Sequence, residues 1–382
     1  MKLINAIKNK KFDLKKVKNN SKILSLDYNQ IEKFHKSIGN KETPLIKLPE
    51  LAKSLGIRKL LLKDDSNRFG LNAFKALGAS YAMSQQIIKY PQIDTFCTAT
   101  DGNHGRAVAW MAKKLGRKAI IYMPKGTISN RIKVIEEEGA KVFVINEGYD
   151  NAVKIANEYV KLKNNNSGNY SCSLVQDTAW DGYEEIPLDI MKGYLTQTHE
   201  ITNQTKNENI DLLFIQSGVG SWAASVISYV MNQWENPPLC ISVEPHSANC
   251  LFESIKTGKR LSVYSKSPTT MAGLNCESVS TIAWNILKNG LTGSLSISDK
   301  LSNEGMKVLA NPLLGDPTVI AGESGASGLG ALIGLCNSNR LNTFKKNITL
   351  NEKSTVLVIN TEGATDPLNY KNVVSQTIDN TM

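Results

Sequence analysis

The feature that most constrains the fold of this 382-residue chain is an alternation that begins near residue 94. Residues 94–100 read as a strand, Asp101-Gly102-Asn103-His104-Gly105 as a turn, and 106–115 as a helix stopped by Gly116. Lys118–Met123 is the next strand, followed by a helix over 129–138 stopped by Gly139 and a strand over 141–145. A helix over 150–162 then runs into a polar linker, 163–169. Leu212–Gln216, residues 240–243 and Thr355–Asn360 repeat the apolar strand pattern later, with helices expected to dominate between 245 and 310. Strands joined through helices cannot pair as hairpins. They lie parallel, with helices covering the faces. The fold class is therefore α/β, with largely parallel sheets flanked by helices.

Upstream of this alternation lies Arg68-Phe69-Gly70-Leu71-Asn72-Ala73-Phe74-Lys75-Ala76-Leu77-Gly78. Leu71, Phe74, Leu77 and Tyr81 recur at helical spacing. Asn72 reads as an N-cap, which puts Lys75 in the first helical turn. The positive end of a helix and apolar neighbours both disfavour an ammonium there. A lysine that readily becomes neutral can form a Schiff base. The same stretch also fits a surface lysine on an amphipathic helix.

The turn Ser217-Gly218-Val219-Gly220-Ser221 joins an apolar strand to a helix over 222–234. Such a turn presents backbone N–H groups and a positive helix end to a phosphate. Gly218, Gly220 and Ala223 also match a dinucleotide fingerprint, with Glu244 at the spacing of a ribose ligand. This element alone thus allows a nicotinamide-dependent dehydrogenase. The Asp101–Gly105 turn offers an amide donor in Asn103 and an acid or base in Asp101; a glycine-rich turn with an Asx cap fits it as well. His104 by itself reads as a structural hydrogen-bonder.

Composition narrows the classes further. The net charge of +10 comes from scattered lysines with no interleaved aromatics, which argues against a nucleic-acid surface and leaves anionic ligands open. The six cysteines form no CxxC pair, so neither a zinc site nor a disulfide scaffold is expected, and the compartment reads as reducing. The first residues lack the apolar core of a signal peptide, and no apolar run is long enough to span a bilayer. A cytoplasmic protein with no bound metal and no membrane partner is expected.

Six segments occur together and in order: RFGLNAFKALGASYA, TATDGNHGRAVAW, QDTAWDGYEEIP, SGVGSWAA, AGESGASG and NTEGATDP. Over about residues 42–371 the chain resembles the diaminopropionate ammonia-lyases, fold-type II pyridoxal-phosphate enzymes of the tryptophan synthase β-like superfamily. Serine and threonine dehydratases share that fold but usually carry serine where Asp101 stands. The resemblance implies two lobes with pyridoxal 5'-phosphate between them. Residues 1–87 and 201–382 would form the large cofactor-binding domain and 88–200 a small mobile domain; a homodimer is implied too.

Residue by residue, Lys75 resembles the lysine that carries the cofactor, and Asn103 the asparagine that bonds the pyridine 3-oxygen. Gly218, Val219, Gly220 and Ser221 resemble the phosphate loop, and Thr361 the hydroxyl partner of the ring nitrogen. Asp101 resembles a second catalytic base, and Asp177 an acidic position near the substrate. Glu323 and Ser324 either line the ring or cap a helix. The implied reaction is α,β-elimination of D- and L-2,3-diaminopropionate to pyruvate and two ammonia. Lys75 would serve as base for the L isomer and Asp101 for the D isomer, with Asp177 or Lys75 protonating the leaving amine. A serine or threonine dehydratase is the near alternative, and the nicotinamide dehydrogenase the distant one.

Overall fold

The computed structural model describes residues 3–24, 28–264 and 267–376. In chain order the strands are β1 (Ile4–Lys8), β2 (Leu45–Lys47), β3 (Lys59–Asp64), β4 (Thr95–Ala99), β5 (Lys118–Met123) and β6 (Lys141–Val144). They continue with β7 (Cys172–Leu174), β8 (Leu212–Gln216), β9 (Leu239–Pro245), β10 (Gly293–Ile297) and β11 (Thr355–Asn360). A seven-stranded sheet has the order β1-β10-β9-β8-β11-β3-β2, and a four-stranded sheet the order β6-β5-β4-β7. The small sheet is parallel throughout; the large one is parallel except for its edge strands β1 and β2. Every residue of β4, β8 and β11 is buried, as expected where helices cover both faces.

Each sheet reverses its winding once. From β8 the chain steps outward to β9 and then β10, whereas β11 returns to the other flank of β8. From β4 it steps to β5 and β6, and β7 returns to the other flank of β4. A parallel sheet leaves a crevice beyond the carboxyl ends of its strands at such a reversal. One crevice lies after Gln216 and Asn360, the other after Ala99 and Leu174.

Most strands lie where the apolar runs place them, but four local expectations need correction. Residues 293–297 form the buried strand β10, in a region expected to be helical. Its Gly-Ser-Leu-Ser-Ile composition has no strong apolar run, and only the flanking β9 and β1 give it a ladder. The third helix of the small sheet spans Tyr149–Ser167, so the polar stretch expected as a linker is largely its last turns. Asn103, His104 and Gly105 belong to the helix Asn103–Lys114 and not to the turn before it. Asn72 is no N-cap: it has a positive φ of 59°, and the helix begins only at Ala76, with Lys75 as its capping residue. Among the described residues no helix is long and apolar enough to cross a membrane, and all six cysteines are free thiols.

Helix Glu323–Cys336 packs on helix Asp299–Ala310 at glycine contacts. A Cβ on Gly330 would stand 2.1 Å from the Leu301 carbonyl oxygen, and one on Gly305 2.6 Å from that of Ala326. Both obstacles are backbone, so the helices must separate to admit a methyl group. Gly330→Ala is therefore expected to destabilise the protein by about 1–3 kcal/mol, seen as a lower midpoint in urea unfolding.

Candidate active site

The two crevices open onto one cleft. Thr100, Asp101, Gly102, Asn103 and His104 reach it from the end of β4, and Asp177 from beyond β7. Gln216 to Ala223 follow β8, and Thr361 and Glu362 follow β11. Lys75 lines the same cleft, so every sequence-selected site residue meets there: Lys75, Asp101, Asn103, Asp177, Gly218, Val219, Gly220, Ser221 and Thr361. Ser324 lines it too; the Glu323 carboxylate is instead taken up by the Asn369 side-chain amide.

The loop carrying Lys75 is held against the end of β11. The Phe74 amide donates to the Thr361 carbonyl at 3.3 Å, and the Gly363 amide to the Asn72 carbonyl at 3.0 Å. Two non-glycine residues of this loop, Phe69 and Asn72, have left-handed φ values of 55° and 59°. Such conformations cost on the order of 1–3 kcal/mol each and persist where the surroundings over-determine them. Behind the loop, Arg68 is buried and donates to Glu200 at 2.6 and 2.7 Å and to Asp65 at 2.9 Å. Lys63 adds a further cationic bond, 2.9 Å to Glu200. The network reaches the cleft wall: Gln197 donates to Asp65 at 2.6 Å and accepts the Trp222 indole at 2.8 Å.

Lys75 is not the easily neutralised amine expected from its surroundings. Its Nζ lies 2.5 Å from Asp177 Oδ2. Burial favours the neutral amine, but the Asp177 charge outweighs it and holds the lysine pKa above its ordinary value. The partner responds in kind: burial raises the Asp177 pKa, and the Lys75 charge overcomes this and draws it down to about 2. Asp101 behaves differently. Burial pushes its pKa up to about 7, with Arg131 pulling weakly the other way. Of these two aspartates in the cleft, Asp177 is ionised at neutral pH and Asp101 exchanges a proton near neutrality.

The turn after β8 carries Gly220 in a left-handed conformation, with φ 87°, directly before the helix Ser221–Gln233. The first amides of that helix have no intrahelical acceptor, and the residues that carry them line the cleft. At Gly218 a Cβ would meet the Gly273 carbonyl oxygen at 2.9 Å, so only hydrogen fits. Ser221 Oγ donates to the Asp177 carbonyl at 2.5 Å, tying this turn to the segment after β7.

Sequence reasoning assigned no role to two further cleft residues. Glu362 accepts the Asn103 side-chain amide on one oxygen and the Ser324 backbone amide, at 2.9 Å, on the other. Gln216 donates to the Ile359 carbonyl at 2.8 Å and to Thr361 Oγ1 at 3.1 Å. Glu362 follows Thr361 and Gln216 precedes the 217–221 turn, next to residues that drew attention; their partners come from distant segments. Glu244 faces away from the cleft: it is buried and accepts the Leu251 and Phe252 amides at 2.8 and 2.6 Å, capping the helix Cys250–Thr257. This removes the ribose ligand that the nicotinamide alternative required.

The Lys75–Asp177 pair implies a pH window in the cofactor-free protein. The depressed carboxylate stabilises the fold above pH 3.8 and loses that contribution as pH falls through about 2. The raised amine stabilises it below pH 10.5 and loses its share as pH rises through the still higher folded value. The stability gap between wild type and Asp177→Asn should therefore shrink on acidification below about pH 4, and shrink again at alkaline pH where the buried, unpaired Lys75 of the variant loses its proton, read by urea unfolding at each pH. A gap that vanishes at neutral pH would show that the pair contributes nothing.

The profile of the family described as "Pyridoxal-phosphate dependent enzyme" matches residues 36–362. The diaminopropionate ammonia-lyase of Escherichia coli K12 is 39% identical over 362 residues, covering 89% of each chain. The crystal structure of the Escherichia coli diaminopropionate ammonia-lyase in complex with D-serine superposes with a TM-score of 0.87 at 36% identity, covering 97% of both chains. The structure of that enzyme with an aminoacrylate-PLP azomethine reaction intermediate superposes with a TM-score of 0.86 at 37% identity, again over 97% of both chains. The chain belongs to the pyridoxal-phosphate dependent enzyme family, in the group of the diaminopropionate ammonia-lyases.

Proposed function

We propose that this protein is a pyridoxal-phosphate dependent ammonia-lyase that converts 2,3-diaminopropionate and water to pyruvate and two ammonia. The observation that carries the reading is the meeting of one lysine, two unlike carboxyls and a phosphate-type turn in a single cleft.

The residues fit the cofactor group by group. Its phosphate matches the amides of Gly218, Val219, Gly220 and Ser221. Its aldehyde matches the Lys75 amine. The 3-oxygen matches Asn103, whose amide nitrogen has two hydrogens and spends one on Glu362. The ring nitrogen matches the Thr361 hydroxyl. Because Thr361 Oγ1 already accepts from Gln216, its own proton is free to donate, which suits an unprotonated nitrogen. When bound, the cofactor supplies an electron sink for the carbanion left at the substrate Cα.

The chain's own groups handle the protons. Lys75, freed when the substrate amine takes its place, removes the Cα proton of the L isomer. Asp101 removes that of the D isomer from the β4 wall; its pKa of about 7 lets it accept a proton near neutral pH. Asp177 remains ionised and stabilises the ammonium that Lys75 becomes on taking up a proton, and Lys75 then passes that proton to the departing β-amine. Closure of the small domain, residues 88–200, over the cleft would exclude water during these transfers. A homodimer located in the cytoplasm completes the reading.

The purified protein should show a visible absorption band from the Lys75-bound cofactor that is lost in Lys75→Ala. The wild type should release pyruvate from both isomers. Asp101→Asn should cut D-isomer turnover by about 10²–10⁴-fold and leave L-isomer turnover within a few-fold. Equal loss on both isomers would sink the division of labour. In the wild type, D-isomer turnover should rise with pH as Asp101 loses its proton, with a midpoint at about 7.

A further inference from the structure

An asparagine amide carries two donor hydrogens on its nitrogen and an acceptor oxygen opposite, and a half-turn about its last bond exchanges them. Donation from Asn103 to the cofactor's 3-oxygen needs the nitrogen turned inward. Asn103 opens the helix Asn103–Lys114, so its backbone is placed by the small sheet. The group that orients its side chain comes from the large sheet.

That group is Glu362, which follows β11, is buried and lines the cleft. One of its oxygens accepts the Asn103 side-chain amide, and the other accepts the Ser324 backbone amide at 2.9 Å. An ionised carboxylate only accepts, so it can meet the nitrogen of Asn103 and not the oxygen. Glu362 is itself held in place. Its carbonyl accepts the Gly322 amide at 2.9 Å, and its backbone bridges to Ala73 in the Lys75 loop. The helix Glu323–Cys336 approaches it closely: a Cβ on Gly325 would meet the Glu362 carbonyl oxygen at 2.6 Å. The first turn of that helix also supplies the positive end that favours a carboxylate. Donation therefore runs one way on each side of Glu362, from Ser324 on one oxygen and from Asn103 on the other.

We propose that Glu362 is a positioning residue that turns the Asn103 nitrogen toward the cofactor's 3-oxygen and holds it there. The proposal rests on the cofactor contact assigned to Asn103, and not on which amino acid is the substrate. Glutamine at 362 would keep the shape but offer one acceptor to two facing donors. The Ser324 amide is backbone and cannot turn, so Asn103 is the group that must flip, and its oxygen would then face the 3-oxygen.

The test uses the cofactor-loaded protein, Glu362→Gln, Asn103→Ala and the double variant. Two quantities are read: the dissociation constant of pyridoxal phosphate and the pH midpoint of the visible band. Asn103→Ala removes a donor from the 3-oxygen, whose negative charge is least balanced after the Lys75-linked nitrogen has lost its proton; the midpoint should rise. Glu362→Gln should raise it too, and weaken cofactor binding by about 10-fold. In the Asn103→Ala background the same change should add nothing further. Glu362→Ala frees Asn103 without facing it with a donor. It should give a smaller shift in the same direction, and it carries the test if the glutamine variant does not fold. A midpoint that falls would overturn the proposal, since that is the result of losing a negative charge alone. So would an effect of Glu362→Gln that persists in full without the Asn103 amide, as a purely structural role requires, or an Asn103→Ala variant that binds cofactor like the wild type. Neither reading needs turnover. A wild type that releases no pyruvate would therefore end the lyase reading and still leave Glu362 decided.

Discussion

The structure depends on one topological constraint. Each parallel sheet reverses its winding once, and each reversal leaves a crevice past the carboxyl ends of two adjacent strands. β8 and β11 frame one crevice, β4 and β7 the other, and both open onto the same cleft. Loops at four strand ends can then present side chains and amides to one small volume while the sheets stay fully buried behind them. The division of chemistry follows the division of sheets. The phosphate-type turn, Thr361 and the Lys75 loop hang on the large sheet; Asp101, Asn103 and Asp177 hang on the small one. Bonds across the cleft, from Lys75 to Asp177 and from Asn103 to Glu362, join the two.

The support behind the cleft is ionic where a core would ordinarily be apolar. Arg68, Glu200, Asp65 and Lys63 are all buried, and each charge has an opposite partner within 2.9 Å. Such a cluster gains little over well-packed apolar residues, but losing one member leaves an uncompensated charge, which costs about 3–5 kcal/mol. It pins the start of the Lys75 loop from one side, and the backbone bonds to β11 pin its end. The left-handed Phe69 and Asn72 persist between those anchors. The shape of the loop is thus a property of residues far away in the chain, including Glu200 and Gly363.

Electrostatics separates the two carboxyls that face the substrate. Asp177 and Asp101 are the same residue type in one cleft, but one lies 2.5 Å from an ammonium and the other is chiefly desolvated. The first stays ionised at any ordinary pH, and the second changes state near neutrality. Acid–base roles assigned to such a pair follow from neighbours and burial, not from residue type.

The amino-acid sequence by itself determined a great deal. Its apolar runs located β4, β8 and β11, because a strand buried on both faces must be apolar whatever surrounds it. Its ordered segments carried the family resemblance and named the residues that meet in the cleft. Local pattern failed where the deciding partner lay elsewhere in the chain. β10 is a strand because β9 and β1 flank it. Asn72 is bent by a bond from Gly363, not by a helix start. Lys75 keeps its proton because Asp177, 102 residues away, lies beside it. Glu362 and Gln216 acquired their partners only when distant strand ends came together. Periodicity and composition are local properties that survive in a linear reading. A charge's state and a loop's conformation depend on what lies within a few ångströms, and only the tertiary structure decides that.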